Sequence, residues 1–464
     1  MATSVRPTSS SLSPLETLMW RLGRDPWLRS TFGSVSLLDA EPDLDRLRER
    51  LRGALVAVPR LRLRVVDPGG PVGTPQWEDD PDFDLDHHLR AVDAPGHGDL
   101  RAVLDHATEL VATPLDASRP GWTFEVITGM DDGRAALVQR MHHTITDGEG
   151  GIRFSAQFLD VERDAAAPLV SPRPPTTHRD DTGPVGPTER LGDLARNAVD
   201  VGRWAAGGLV HPSRFTEAGA EVVDVARSLG RQLVVIDHGR SQAWRSRSDA
   251  RHLEVLSVSF ADLRAVADAA GASVNDVFVA AATRAAGAYH RDQGEALAEL
   301  RLAMPVSTRR RGGGGGNAFS PTRVVLPTDE GDAAAHLAAV SSRLQRTKRE
   351  SFTTVIEPLA GIVDVVPVPV LTRVARRQAA TIDLTVSNVR AAPFPLHVAG
   401  ARILATWALG PLAATPCNIT MMSYAGRVDM GLHCDPMAVR EPERLRAALR
   451  DAFAELGIAE VGTD

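Results

Sequence analysis

Met141-His142-His143-Thr144-Ile145-Thr146-Asp147-Gly148 is the stretch on which the reading of this chain depends. It closes the apolar run Ala135 to Met141, so a strand delivers two adjacent histidines to its end. The chain then passes through Asp147-Gly148-Glu149-Gly150-Gly151 into a segment expected to be helical. Neighbouring side chains on a strand point to opposite faces, so His142 and His143 should not chelate one metal together. One is expected to face a cleft while the other packs inward. Imidazole, with a reference pKa of about 6.5, suits a general base at neutral pH. Asp147 can fix the turn by accepting backbone N–H groups or by pairing with an arginine. Gly148 permits backbone angles that other residues resist. The residues alone leave a second reading open, in which both histidines are hydrogen-bonded core residues.

Outward from this turn, the N-terminal side shows a helix over Leu44, Leu47, Leu51 and Leu55, spaced by three and four. Arg60 to Val65 alternates charged and apolar, as a half-buried strand does. A helix over Leu100 to Ala112 and a strand over Thr123 to Thr128 precede the histidine strand. From Ala165 to Arg190 the chain is dominated by Pro, Asp, Thr and Gly, which reads as a linker. Leu191 to Leu233 reads as helical in two pieces. Then come a strand at Leu253 to Ser259 and a helix capped by Ser259 and ended by Gly271. A helix capped by Ser273 runs to about Tyr289. Strands follow at Leu300–Val306, Thr322–Leu326, Leu384–Asn388 and Ile403–Leu409. Ile419 to Leu432 reads as a hairpin turning at Ala425–Gly426, and a closing helix starts near Glu441. The division is 1–164, a connecting region 165–250, and 251–464. Strands alternating with helices on both sides of a linker give an α/β (α+β) protein in two halves.

Composition excludes several classes. The 464 residues suffice for two ordinary domains. A net charge of -7 and a pI near 6.1 argue against a nucleic-acid binder. Cys417 and Cys434 are the only cysteines, which excludes a disulfide framework and favours a reducing interior. No run of about 18 apolar residues occurs, and the Ser/Thr/Pro-rich start has no apolar core of a signal peptide. There is no Gly-x-Ser-x-Gly elbow, no His-Glu-x-x-His helix and no third glycine for a dinucleotide fingerprint. Lys348 is the only lysine and lies in no phosphate-binding loop. Gly312 to Gly316 beside Arg309, Arg310 and Arg311 reads as a flexible loop. His87–His88, in an Asp-rich stretch with no glycine turn after it, reads as a surface pair.

His142-His143-x-x-x-Asp147-Gly148 resembles the motif of the CoA-dependent acyltransferase superfamily, which includes chloramphenicol acetyltransferase and the condensation domains of peptide synthetases. Further segments are similar to the bacterial wax ester synthase/diacylglycerol acyltransferase family. They are Leu12-Ser13-Pro14-Leu15-Glu16, Pro114-Leu115-Asp116 to Pro120-Gly121-Trp122, and Val274-Asn275-Asp276-Val277. Gly316-Asn317, Ser387-Asn388-Val389, and Asn418-Ile419-Thr420 through Gly426-Arg427-Val428-Asp429 to Gly431-Leu432 and Asp435 continue the series. These segments span nearly the whole chain in the family's order. Gly121, Arg390-Ala391-Ala392-Pro393 and Arg440-Glu441 depart from the family's pattern.

The resemblance implies two chloramphenicol-acetyltransferase-like domains with a tunnel between them. It implies acyl-CoA as co-substrate, no permanently bound cofactor and no metal. His143 is then the base that takes the acceptor's hydroxyl proton, and Asn275 the group that holds the oxyanion or the acceptor. His142, Asp147 and Gly148 are structural at the site. Arg309–Arg311 are candidates for CoA contacts. The acceptor is diacylglycerol, with a long-chain alcohol as the variant. The location expected is cytoplasmic, peripheral to the inner face of a membrane or to a lipid droplet, through 204–215 or 355–371. Two rival readings are a condensation-type domain, which lacks attached carrier modules here, and a non-catalytic lipid-binding protein, against which intact His143, Asp147 and Asn275 weigh.

Overall fold

The computed structural model describes residues 10–68, 73–146, 148–166, 239–307, 319–329, 331–350 and 368–462. Expectations about Asp147, the linker from residue 167, the helices over 191–233, the loop 309–317 and residues 355–367 lie outside these. The strands in chain order are β1 (Ser10–Ser11), β2 (Thr31–Leu38), β3 (Leu63–Val66), β4 (Gln76–Asp79), β5 (Leu89–Asp93), β6 (Trp122–Thr128), β7 (Ala135–His142), β8 (His252–Ser259), β9 (Glu299–Ser307), β10 (Phe319–Pro327), β11 (Leu384–Arg390), β12 (His397–Val398), β13 (Ala401–Leu409), β14 (Cys417–Tyr424) and β15 (Arg427–Cys434). The helices used below are α1 (Pro14–Leu22), α2 (Leu44–Ala57), α3 (Leu85–His88), α4 (Leu100–Ala112), α5 (Gly148–Ser155), α6 (Phe260–Ala269), α7 (Val274–Asp292), α8 (Ala333–Glu350), α9 (Val368–Ala379) and α10 (Pro442–Glu455).

The helices begin where local chemistry satisfies their first N–H groups. Ser13 and Glu16 form a capping box on α1, with Pro14 at its first turn. Ser273 and Asp276 do the same for α7. Asp43 caps α2, which buries Leu47, Leu51 and Leu55 of the stripe its spacing implied, together with Ala54, while Leu44 packs half-buried on the same core. Ser259 caps α6, and Gly271, at φ +60, turns the chain away after it.

Two six-stranded sheets carry the molecule, in the orders β12-β13-β2-β7-β6-β5 and β10-β9-β11-β14-β15-β8, beside a three-stranded sheet β1-β4-β3. The mixed α/β architecture expected from the sequence is present. Its joint is strand β13, which follows β11 in the chain yet pairs antiparallel with β2 in the first sheet. From there it packs on the second sheet. The buried Asp429 of β15 accepts from the Thr406 N–H and the Ser257 hydroxyl and pairs with Arg427. Trp407 Nε1 donates to Ser257 Oγ at 3.3 Å. Gly431, also on β15, lies against the Ala408 carbonyl with no room for a side chain.

Three elements differ from the sequence reading. Residues Pro59–Arg62 form a 3-10 turn, and the strand covers only Leu63–Val66, because Pro59 at the first turn starts a helical segment. The central strand β2, Thr-Phe-Gly-Ser-Val-Ser-Leu-Leu, carries no alternation because both of its faces are covered. Finally, His88 is not on the surface. It is 1% exposed and lies between the Phe83 and Trp122 rings, with Nδ1 donating to the Trp122 carbonyl at 2.7 Å. Burial lowers its pKa to about 4, so it is a neutral core residue.

Candidate active site

Strand β7 brings the histidine pair to one end of the first sheet, where Thr31 of β2 is paired with His142. His143 N–H donates to the Ser30 carbonyl at 2.9 Å, and Ile145 N–H to the His142 carbonyl at 2.9 Å. The ladder therefore ends at His143, and the chain turns back at once. The two rings meet different surroundings, as alternation on a strand requires.

His142 is buried. Trp20 of α1 meets its ring edge-on at 5.4 Å between centroids. The Thr144 N–H donates to its Nδ1 at 3.2 Å, and the Thr144 hydroxyl lies 2.8 Å from the same atom. Nδ1 therefore acts as an acceptor and the ring is neutral. Burial, then the neighbouring His143, brings its pKa down to about 3. Gly121 lies close against the base of this side chain: its carbonyl accepts the His142 N–H at 2.8 Å, and a Cβ there would stand 3.1 Å from the His142 Cβ. The departure from the family's pattern at Gly121 thus has a local steric role.

His143 is half-buried, and its ring lies 4.5 Å from that of Phe32, tilted by 38°. The Phe32 ring in turn borders Gly151 of α5. Helix α5 packs against β11 of the second sheet. On β11, Asn388 Nδ2 donates to Asn275 Oδ1 at 3.4 Å. Contacts thus run from the His143 turn through α5 and β11 to Asn275, the second residue of α7. Gly148 opens α5, and Asp147 lies outside the described residues.

Sequence reading did not single out several residues that shape this turn. Arg60 pairs with the buried Glu16 at 2.7 Å, lies 4.9 Å over the Trp77 ring and reaches the Thr144 carbonyl at 3.5 Å. The signature Ser13-Pro14-Leu15-Glu16 is therefore tied through Arg60 to the turn after His143. Phe32 and Trp20, which pack the two imidazoles, were also missed; a single aromatic in a mixed segment carries no spacing signal. Asp276, beside Asn275, is structural: it completes the α7 capping box and accepts from Ser341 Oγ at 3.1 Å. Among the described residues, no cluster of three or more His, Cys, Asp or Glu could hold a metal ion.

Comparison with known proteins identifies the family and the fold. Residues 12–278 match the wax ester synthase/diacylglycerol acyltransferase catalytic domain, and residues 315–457 match the WS/DGAT C-terminal domain. A provisionally named diacylglycerol O-acyltransferase of Mycobacterium tuberculosis is 32% identical over 461 residues, covering 97% of this chain and 92% of that protein. The solved wax ester synthase/diacylglycerol acyltransferase from Marinobacter aquaeolei VT8 superposes with a TM-score of 0.66 at 21% identity, covering 96% of this chain and 98% of that one. The starter condensation domain of rhizomide synthetase, solved with C8-CoA, gives a TM-score of 0.57 at 14% identity, covering 98% and 97%. The last two likenesses show a shared two-domain fold of the chloramphenicol acetyltransferase type.

Proposed function

This chain belongs to the wax ester synthase/diacylglycerol acyltransferase family of O-acyltransferases, and from that premise we propose that it moves a fatty acyl group from acyl-CoA directly to the hydroxyl of diacylglycerol, with His143 as the general base. The observation that carries the reading is the contrast between the two histidines. His142 is buried and neutral with Nδ1 engaged, whereas His143 stands half-exposed beside the helix that meets the second sheet.

In this mechanism acyl-CoA and the acceptor approach from opposite ends of a tunnel between the two sheets. His143 removes the hydroxyl proton as the acceptor oxygen attacks the thioester carbonyl. The tetrahedral oxyanion then collapses, the C–S bond breaks, and the CoA thiolate recovers the proton from His143. No acyl-enzyme forms. Asn275 holds the oxyanion: with Oδ1 occupied by Asn388, its Nδ2 is the end left to donate. Asn275→Ala is accordingly expected to lower kcat on the order of 10²-fold, as loss of other oxyanion donors does. A rise in KM with kcat intact would assign Asn275 to acceptor binding instead.

Diacylglycerol is the acceptor in this reading because the residues of the turn and of the helix after it are small, Thr144, Thr146, Gly148, Gly150 and Gly151, as is Ala272 shortly before Asn275 in the chain. They leave space for a two-tailed alcohol. The name of the Mycobacterium tuberculosis relative points the same way. Comparing kcat/KM for dioleoylglycerol and hexadecanol with one acyl-CoA tests it. Preference for hexadecanol would make this a wax ester synthase and overturn the acceptor assignment. Release of CoA with neither alcohol would overturn the acyl-transfer reading. Both lipids reside in membranes or droplets, so the enzyme works peripherally against such a surface from the cytoplasmic side. No single described helix is long and apolar enough to cross a membrane.

A further inference from the structure

The chain's two cysteines are set face to face by the fold. Cys417 opens β14, Cys434 closes β15, and they are direct partners in the antiparallel register. Their Sγ atoms lie 3.0 Å apart, both side chains are fully buried, and both are free thiols. Residues directly opposed in such a ladder have Cα atoms roughly 4.5–5.5 Å apart, inside the range of roughly 4.4–6.8 Å that a disulfide spans. The surroundings keep the pair in place. Cys434 is also paired with His252 on β8, so β15 is held from both sides. Just beyond the pair, Asp435 N–H donates to the Pro416 carbonyl at 2.8 Å and clips the two chain ends together. The acyl-transfer step calls on neither sulfur.

We propose that Cys417 and Cys434 are an oxidation site, at which a peroxide closes a reversible cross-strand disulfide inside the second sheet. One thiol, as thiolate, attacks a peroxide oxygen; the O–O bond breaks, leaving a sulfenic acid and, from hydrogen peroxide, one water. The second sulfur then attacks the first, the S–O bond breaks, and the hydroxyl leaves with the second thiol's proton as another water. Two thiols lose two protons and two electrons in all, and the peroxide gains them. Burial and the neighbouring sulfur push the Cys434 thiol well above its usual range. The first attack is therefore slow in the closed sheet and proceeds when the strand ends open. The same burial shields the finished bond from reductants. The crosslink joins strands that are already paired, so it restricts the unfolded chain while leaving the native geometry and turnover as they were.

The full chain is incubated with hydrogen peroxide in two arms, one in native buffer and one in urea below the unfolding transition. In at least the second arm, alkylatable thiols counted after denaturation should fall from two to none. Intact mass should drop by two hydrogens, the protein should run as a monomer on a non-reducing gel, and dithiothreitol added in the same urea should reverse the change. The oxidised form should melt roughly 3 °C higher at unchanged kcat. Two persisting thiols in both arms, a mass gain of whole oxygens, or disulfide-linked dimers would each overturn the proposal. Cys417→Ala and Cys434→Ala should melt at the same temperature with and without peroxide, and a peroxide-dependent shift in either would overturn it too.

Discussion

A folded His143→Ala variant is expected to lose ~10²–10⁴-fold in kcat, the contribution of a positioned general base, while its circular dichroism matches that of the parent. The fold should survive because what His143 gives the turn is mainly its backbone: its N–H to the Ser30 carbonyl is retained in alanine. The ring packs on Phe32 but is only half-buried, so truncation leaves a shallow gap rather than a core cavity. His142 cannot take over. Its Nδ1 accepts from Thr144, its pKa is brought down to about 3, and Trp20 and Gly23 close around its ring. A base so reluctant to hold a proton gives little driving force for taking one from an alcohol. Near-parental kcat/KM in a folded His143→Ala protein would remove the mechanism. Structural collapse of the variant would instead favour the reading in which both histidines are core residues.

The elements legible in the sequence were those whose periodicity or caps act locally. The stripe of α2, the Ser273 cap of α7, the Ala425–Gly426 turn and the histidine strand all lie where spacing or turn chemistry puts them. Ala425 and Gly426 both take positive φ, 44° and 83°, as a tight two-residue hairpin requires. What stayed hidden depends on distant partners. Strand β2 is stabilised by β7 on one side and β13 on the other, and its Gly and Ser residues give no signal alone. His88 looked exposed because its neighbours are acidic; only the tertiary stack of Phe83 and Trp122 buries it. Similarly, Arg60 reads as one charge in an alternating segment until Glu16 and the Thr144 carbonyl are brought to it. The candidate site's histidines were thus readable from a local motif, whereas the residues that hold them in place were not.

The same distinction governs the joint between the sheets, where Gly431→Ala is expected to destabilise the protein by about 3 kcal/mol or more. A Cβ at 431 would stand 2.2 Å from the Ala408 carbonyl oxygen, 3.2 Å from its carbon and 3.4 Å from Leu253 Cδ1. The nearest two atoms are backbone, so no rotamer change can relieve the contact. Strand β13 would have to retreat, yet it is pinned in the first sheet opposite β2 and to the second by the bond from Thr406 N–H to Asp429. Retreat would strip a hydrogen bond from a carboxylate that is fully buried, which itself is costly. Gly426→Ala provides the contrast: it has φ +83 but open space at its Cβ, so its cost should be the conformational one of about 1–2 kcal/mol. Urea unfolding of the three proteins separates the two effects. Because β13 joins the sheet carrying His143 to the sheet bearing Asn388, Gly431→Ala should also lower kcat/KM where the protein remains folded, and Gly426→Ala should not. Equal stability losses in the two variants would mean that the sheets can part at β13 without strain, and that close backbone approach is not what aligns the two halves.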